Sequence, residues 1–236
     1  TRRGIAPIYA DKFLKKAFRM GELLNKELLY KRVKDIVEWK NLTIVGGYGA
    51  EPVKAEDMIA YFEEYGRQLV PYICDVGVYL DKAHKEGKNI MFEAQLGALR
   101  DIDFGIYPYT SSSSTIAAYA PIGAGVPNLQ LGGMKADAAC VGEGPFTAEY
   151  FGEKAETLRK LGGEYGAATG RPRRVGPFDV VASRYGIRCQ GAKEIALTKL
   201  DVLSEYEEIE VCTDYELNGK LVEDFPFTDV LDECKP

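Results

Sequence analysis

Histidine occurs once in these 236 residues, as His84. It sits near the end of a helical stretch, among Lys82, Lys85 and Lys88, and reads as an exposed helix residue. Nucleophilic catalysis by Ser/His or Cys/His needs an imidazole beside the nucleophile, so that class is excluded. The five cysteines (Cys74, Cys140, Cys189, Cys212 and Cys234) are odd in number, widely spaced and never arranged as Cys-x-x-Cys. This excludes a disulfide framework and a cysteine zinc site, and points to a reducing cytosol. No apolar run is long enough to span a bilayer, and no signal-peptide pattern is found. A broad basic excess is also missing. The net charge of -6 argues against a general nucleic-acid or membrane-surface binder.

What is present is ordinary globular composition, 46% hydrophobic and 28% charged, in a chain long enough to bury a sizeable core. Apolar spacing predicts a helix over residues 10–39, with Phe13, Leu14, Ala17 and Phe18 on its first packing face. Leu42–Val45 reads as a short β-like run. Residues 54–86 read as helix again, kinked or split at Pro71 and stopped at Gly87. Asn89–Glu93 reads as a buried strand, and 119–146 as a Gly- and Pro-rich loop of a length usually reserved for function. Helices are expected at 147–161 and 178–189, and a buried strand at Ile195–Leu197. The alternating run 209–217 then meets Asn218-Gly219, a type I′ hairpin signal, and returns through 220–223. Strands mixed with helices predict an α/β fold, part of a large mostly parallel sheet flanked by helices with an appended antiparallel hairpin.

The chemistry-bearing stretch is 165–201. Its loop carries Arg171, Arg173 and Arg174 beside Gly166 and Gly170. Guanidinium groups grip planar anions such as carboxylate and phosphate with two bonds. After the Ile195–Leu197 run come Thr198-Lys199-Leu200-Asp201, a Lys-x-Asp where open α/β sheets bind ligands. An Asp there can accept the N1–H and N2–H₂ donors of guanine while the Lys stem lies along the base. Thr110, Ser111–Ser114 and Thr115 form a run of hydroxyls that, with their backbone N–H groups, suits a phosphate. Singly, each is more often solvated surface or linker. On two ends of one helix–strand unit, the arginines and the Lys-x-Asp point to a nucleotide plus a second anion.

Several blocks carry a resemblance that covers nearly the whole chain. They are Phe92-Glu93, Asp101-Ile102-Asp103, Tyr107-Pro108-Tyr109, Val141-Gly142-Glu143-Gly144-Pro145-Phe146, Thr169-Gly170-Arg171-Pro172-Arg173-Arg174 and Leu197-Thr198-Lys199-Leu200-Asp201-Val202-Leu203. In this order they resemble the adenylosuccinate synthetase family, and TRRGIAPIYADK is similar to that family's TGRGIGPxYxDK. The resemblance implies a P-loop NTPase-like fold and a GTP-dependent ligase of AMP synthesis. GTP would phosphorylate the 6-oxygen of IMP with Mg²⁺ assistance, and L-aspartate would displace that phosphate to give adenylosuccinate.

Site residues follow from the same resemblance. IMP contacts fall on Thr1, Lys15, Gln95, Leu96, Thr110, Ser111 and Arg171. Lys15 stands where the family commonly has an arginine that reaches IMP across a homodimer interface. Strict counting puts Leu96 on the family's glutamine, but Gln95 alone of the two has an amide. Aspartate contacts fall on Ala167, Ala168, Thr169, Gly170, Arg171 and Arg173; the family often has a threonine at Ala168. GTP contacts fall on Arg173, Lys199, Leu200 and Asp201. The family's GDEGKGK phosphate loop, its catalytic aspartate and histidine, and its Mg²⁺ ligands match nothing in the chain, so no catalytic or metal residue is assigned.

The chain begins at Thr1 and reads as part of one larger domain: 1–88 a mainly helical portion, 89–236 an α/β portion with the substrate and guanine loops. Alone it is expected to lack synthetase activity. The competing readings are a non-catalytic nucleotide-binding fragment or degenerate homologue, and a plain interaction domain whose arginines are surface charge.

Overall fold

The computed structural model describes residues 4–127, 143–166, 170–192, 195, 197–222 and 224–236. Thr1, Ala167, Ala168, Thr169 and most of the Gly125–Cys140 stretch lie outside them. The chain divides into two compact units, Thr1–Ile90 and Met91–Pro236.

The first unit is helical. α1 (Ile5–Phe13) ends in a left-handed turn at Lys15, whose φ is 60°. A 3₁₀ turn at Met20–Leu24 leads into α2 (Lys26–Gly46). Asn25 caps α2: its side chain accepts from Leu28 N–H at 3.1 Å, which satisfies one of the orphan donors of the first turn. Leu29, Val33 and Ile36, spaced four and three apart, form the buried stripe of α2. α3 (Ala55–Tyr61) runs through a π-turn at Phe62–Gly66 into α4 (Arg67–Leu69), and Pro71 then forces a 3₁₀ turn at Val70–Tyr72. α5 (Val76–Lys85) follows, capped by Asp75. Gly87 ends it with φ 74° and an N–H bond to the carbonyl of His84.

Two expectations fail here. The 10–39 helix is broken between Phe13 and Met20, and Phe13 and Leu14 are exposed. Leu42–Val45 is not a strand but the last turns of α2. The helix already has its buried stripe and cap, and continuing it satisfies each backbone N–H locally, whereas a strand there would need a partner. Asn41 bonds both the N–H and the C=O of Val53 at 2.9 Å, tying the following loop back onto α2.

The second unit holds α6 (Tyr119–Gly123), α7 (Gly152–Gly162), α8 (Val180–Gln190) and α9 (Thr228–Leu231). Its described strands form two small sheets. β1 (Phe178–Asp179) pairs in parallel with β2 (Val211–Cys212), Phe178 opposite Val211 and Asp179 opposite Cys212. β3 (Tyr215–Leu217) pairs antiparallel with β4 (Lys220–Val222). The hairpin between them is the I′ turn its sequence predicts, with φ 53° at Asn218 and 77° at Gly219. Glu216 also exchanges both backbone hydrogen bonds with Lys235, at 2.8 and 2.9 Å. The core gathers Ile106, Ala148, Val181, Cys212, Tyr215 and Leu231, with Phe225 packed against it.

At two predicted strands the described residues join no strand: Met91 and Glu93 are exposed without a ladder, and so are Ile195 and Leu197. An apolar run becomes a buried strand only where a neighbour supplies both hydrogen bonds and a covering face, and the described residues supply neither at these places.

Candidate functional site

Two clusters in the second unit bring predicted site residues together. The first starts at the end of α7. Gly163 takes the left-handed conformation (φ 62°) that terminates the helix, and the chain turns back on itself. The loop is closed by Arg173 N–H to Glu164 C=O at 2.9 Å and Gly166 N–H to Arg171 C=O at 2.8 Å, around a bridge between Tyr165 and Pro172. Gly170, φ 62°, donates to the carbonyl of Gly166 at 2.7 Å. The arginine loop is therefore a small hairpin with Arg171 exposed near its tip and Arg173 and Arg174 at its base.

Glu164 is buried at this base. Arg173 Nη1 donates to its Oε2 at 3.0 Å, and Lys199 Nζ donates to its Oε1. Lys199 Nζ also donates to the carbonyl of Gly162 at 2.8 Å. Two residues assigned separately to GTP are thus held on the two oxygens of one carboxylate. Sequence reasoning missed Glu164, a lone acid between glycines and a tyrosine that matches no motif. Arg159 Nε donates to the carbonyl of Arg173 at 2.8 Å, fixing the loop from α7.

Lys199 is not at the end of a strand. It adopts φ 60° and caps a 3₁₀ turn, Leu200–Leu203, that carries Asp201 in its first turn. Leu200 and Asp201 are exposed. The tripeptide keeps its position beside the arginine loop because Lys199 is tied to Gly162 and Glu164, not because a sheet delivers it.

Arg174 faces the other way. Its Nε lies 2.9 Å from both oxygens of Glu149, and its guanidinium stacks 5.5 Å from the Phe146 ring. Arg174 Nη1 also donates to the carbonyl of Gly144, while Arg100 Nη1 donates to that of Glu143 at 2.8 Å. These two arginines clamp the Glu143-Gly144-Pro145 segment. Arg174 is a structural clasp.

The second cluster is the hydroxyl run. Gln95 Nε2 donates to Ser113 Oγ at 2.9 Å, and Ser113 Oγ shares a 2.9 Å hydrogen bond with Ser111 Oγ. Leu96, at φ 74°, points its side chain to solvent. Of the two candidates for the family's glutamine position, Gln95 therefore joins the serines and Leu96 does not. Thr110 is half-buried beside Ser111. Ser113 was not singled out in the sequence, where nothing separates it from Ser112 and Ser114.

Buried Asp101 organises this run. Its Oδ1 accepts from the N–H groups of Asp103 and Phe104 at 2.9 and 3.0 Å, and its Oδ2 accepts from Thr115 N–H at 2.7 Å. Thr115 Oγ1 donates to the carbonyl of Gly97 at 2.7 Å, and Gln190 at the end of α8 donates to the carbonyl of Thr115 at 3.3 Å. Hydroxyls and backbone are thereby held in place by the protein's own groups.

The first unit contributes an apolar cavity of about 190 Å³ lined by Phe18, Val33, Ile36, Val37, Ile44, Val53 and Met58. Its one charged lining group, Lys40, is paired with Asp11, so the cavity offers no chemistry. Lys15 is exposed in the turn after α1. Among the described residues no group of three His, Cys, Asp or Glu side chains could hold a metal ion, and no helix is long and apolar enough to cross a membrane.

The fold belongs to the P-loop NTPase-like α/β class. Ninety-nine per cent of the chain superposes, with a TM-score of 0.89 at 31% identity, on 56% of the chain in a structure of fully ligated adenylosuccinate synthetase from Plasmodium falciparum. The sequence profile of adenylosuccinate synthetase matches residues 1–236. The adenylosuccinate synthetases of Syntrophotalea carbinolica and Caldanaerobacter subterraneus subsp. tengcongensis are 43% and 42% identical to the whole of it. The chain belongs to the adenylosuccinate synthetase family. It spans 56% of the length of these two relatives.

Proposed function

We propose that this chain supplies the substrate-holding half of a GTP-dependent ligase that joins IMP and L-aspartate to form adenylosuccinate. The observation that carries the reading is the junction at Glu164. There the arginine loop, suited to carboxylate and phosphate, is tied to the Lys199–Asp201 turn, suited to guanine. In this reading Arg171 holds IMP and aspartate from the loop tip, with Thr169 and Gly170 beside it, and Arg173 serves aspartate and GTP. Lys199 and Asp201 read the guanine base, and Gln95 with Ser111 orients IMP. The residues act by position and charge, the terms that dominate phosphoryl transfer once the nucleophile and leaving group are aligned.

Mg²⁺ would neutralise phosphate charge, but the described residues do not fit as its protein ligands, so no step is assigned through it. A homodimer in which Lys15 reaches a neighbour's IMP, and a cytoplasmic setting without nucleic-acid or membrane partners, belong to the same proposal. A second reading, a nucleotide-binding relative without turnover, is favoured by the departures at Lys15, Leu96 and Ala168.

The test is adenylosuccinate formation from IMP, aspartate and GTP by the intact protein that carries this chain. Turnover dependent on all three supports the ligase, and GTP binding without turnover supports the second reading. In an active protein, Arg171→Ala is expected to lower kcat/KM by roughly 3–5 kcal/mol of transition-state stabilisation.

A further inference from the structure

We infer that Glu164 is a positioning residue for nucleotide binding, setting Lys199 and Arg173 at a fixed spacing through the two oxygens of one buried carboxylate. The inference rests on the synthetase reading only for the identity of the nucleotide. Lys199 and Arg173 belong to segments 26 residues apart in sequence, 173 to 199, and Glu164 contacts both side chains. Two cations brought to one place repel each other, and more strongly where water is partly excluded. A single carboxylate between them removes that repulsion and leaves the cluster with a net positive charge. Such a cluster still attracts an anionic ligand, and the positions of its two cations are set.

The burial pattern supports this division of labour. The Glu164 side chain is 11% exposed, whereas Lys199 is 48% and Arg173 32% exposed. The acid is shielded from solvent, and the two bases keep faces open to a ligand. Backbone geometry adds to it. Lys199 sits at φ 60°, an uncommon conformation for a residue with a side chain, and its ammonium is tied to Glu164 and to the Gly162 carbonyl. The same turn presents Asp201. Moving Lys199 therefore moves the residue assigned to the guanine edge. Glu164 need not touch the nucleotide to set how well the base is read.

The experiment compares the intact wild-type protein with Glu164→Gln, which keeps the shape and removes the charge, and Glu164→Asp, which keeps the charge and shortens the reach. GTP is titrated calorimetrically, and GTP KM and kcat are measured where turnover exists. The expected result is a GTP Kd raised at least about tenfold in Glu164→Gln, with KM following Kd and kcat changing less. Glu164→Asp is expected to fall between. Adding Lys199→Met to Glu164→Gln should cost less than the sum of the two single effects, because they share the Lys199–Glu164 contact while the Arg173 contact remains. A merely structural role lowers the active fraction, hence kcat, and leaves Kd and KM in place. An unchanged GTP Kd in whichever of the two variants folds overturns the inference, as does additivity with Lys199→Met. Wild-type protein that binds GTP without making adenylosuccinate overturns the synthetase reading alone; protein that binds no GTP overturns both.

Discussion

Three buried carboxylates, Asp101, Glu164 and Asp179, explain more of the second unit than its arginines do. Each accepts from groups on separate segments, and Glu164 pairs with two cations at once. Asp101 accepts three backbone N–H groups. Asp101→Asn keeps its volume but turns an amide toward a donor, which leaves at least one buried N–H without a partner. The expected loss is about 1–3 kcal/mol of unfolding free energy, read by urea titration. IMP binding should also loosen, since Ser113 and Thr115 lie within the segment Asp101 holds. At this scale the sequence was a partial guide. It exposed the arginines and the hydroxyls, because their chemistry is visible residue by residue, and Gln95 through the family resemblance. It hid Glu164 and Ser113, whose roles depend on what lies across from them. Composition alone makes the three arginines alike; the resemblance assigned ligands to Arg171 and Arg173 only, and the fold turns Arg174 to Glu149.

Among the elements, local signals with a stereochemical mechanism were legible. Asn218-Gly219 specifies a turn with two positive φ values, Pro71 cannot donate within a helix, and Gly87 can end one. Signals that rest on apolar runs were not. Leu42–Val45 and Ile195–Leu197 have strand composition, yet the first is the end of a helix capped at Asn25, and in the second the described residues, Ile195 and Leu197, are exposed and join no strand. The β1–β2 pairing was equally hidden, since it joins residues more than thirty positions apart through two residues each. Close approach also sets limits between elements. Gly176 lies against the segment that precedes α7, where Tyr150 N–H bonds Val175 C=O at 2.9 Å. A Cβ at 176 would stand 2.2 Å from the carbonyl oxygen of Ala148. Gly176→Ala must therefore displace backbone, with an expected loss of roughly 2–4 kcal/mol visible as a lowered Tm. It should also weaken the Arg174–Glu149 clasp.

Across the whole molecule, alkaline conditions address the core directly. Burial, with the charges of Asp179 and Asp214 adding, pushes the Cys212 thiol from its ordinary 9.0 up to about 11. Burial and the hydrogen bond to Asp179 push Tyr215 upward as well. Burial raises Tyr185 to about 12, with Cys189 adding. A raised folded-state value means the unfolded chain releases its proton first. The stability held below pH 9 is then lost as pH rises toward about 11. A Tm measured across that interval should fall, and Cys212→Ser should flatten the part of the fall that belongs to the thiol. A Tm independent of pH there would mean that Cys212 is open to solvent in the native state. The net charge of -6 acts in the same sense, since further ionisation adds to an existing negative excess.

Asp179 has a consequence of another kind. It lies in β1, its Oδ1 caps α8 by accepting from Ala182 N–H at 2.9 Å, and its Oδ2 accepts the phenolic hydrogen of Tyr215 at the start of β3. Glu216, the next residue, is laddered to Lys235. Opening the start of α8, the parallel pair or the start of the hairpin disturbs the same carboxylate, which couples them. Their amides are expected to exchange together, from β1 to the strand-like contact at Lys235, and hydrogen-exchange rates that differ widely between the three would show that the shared carboxylate does not couple them.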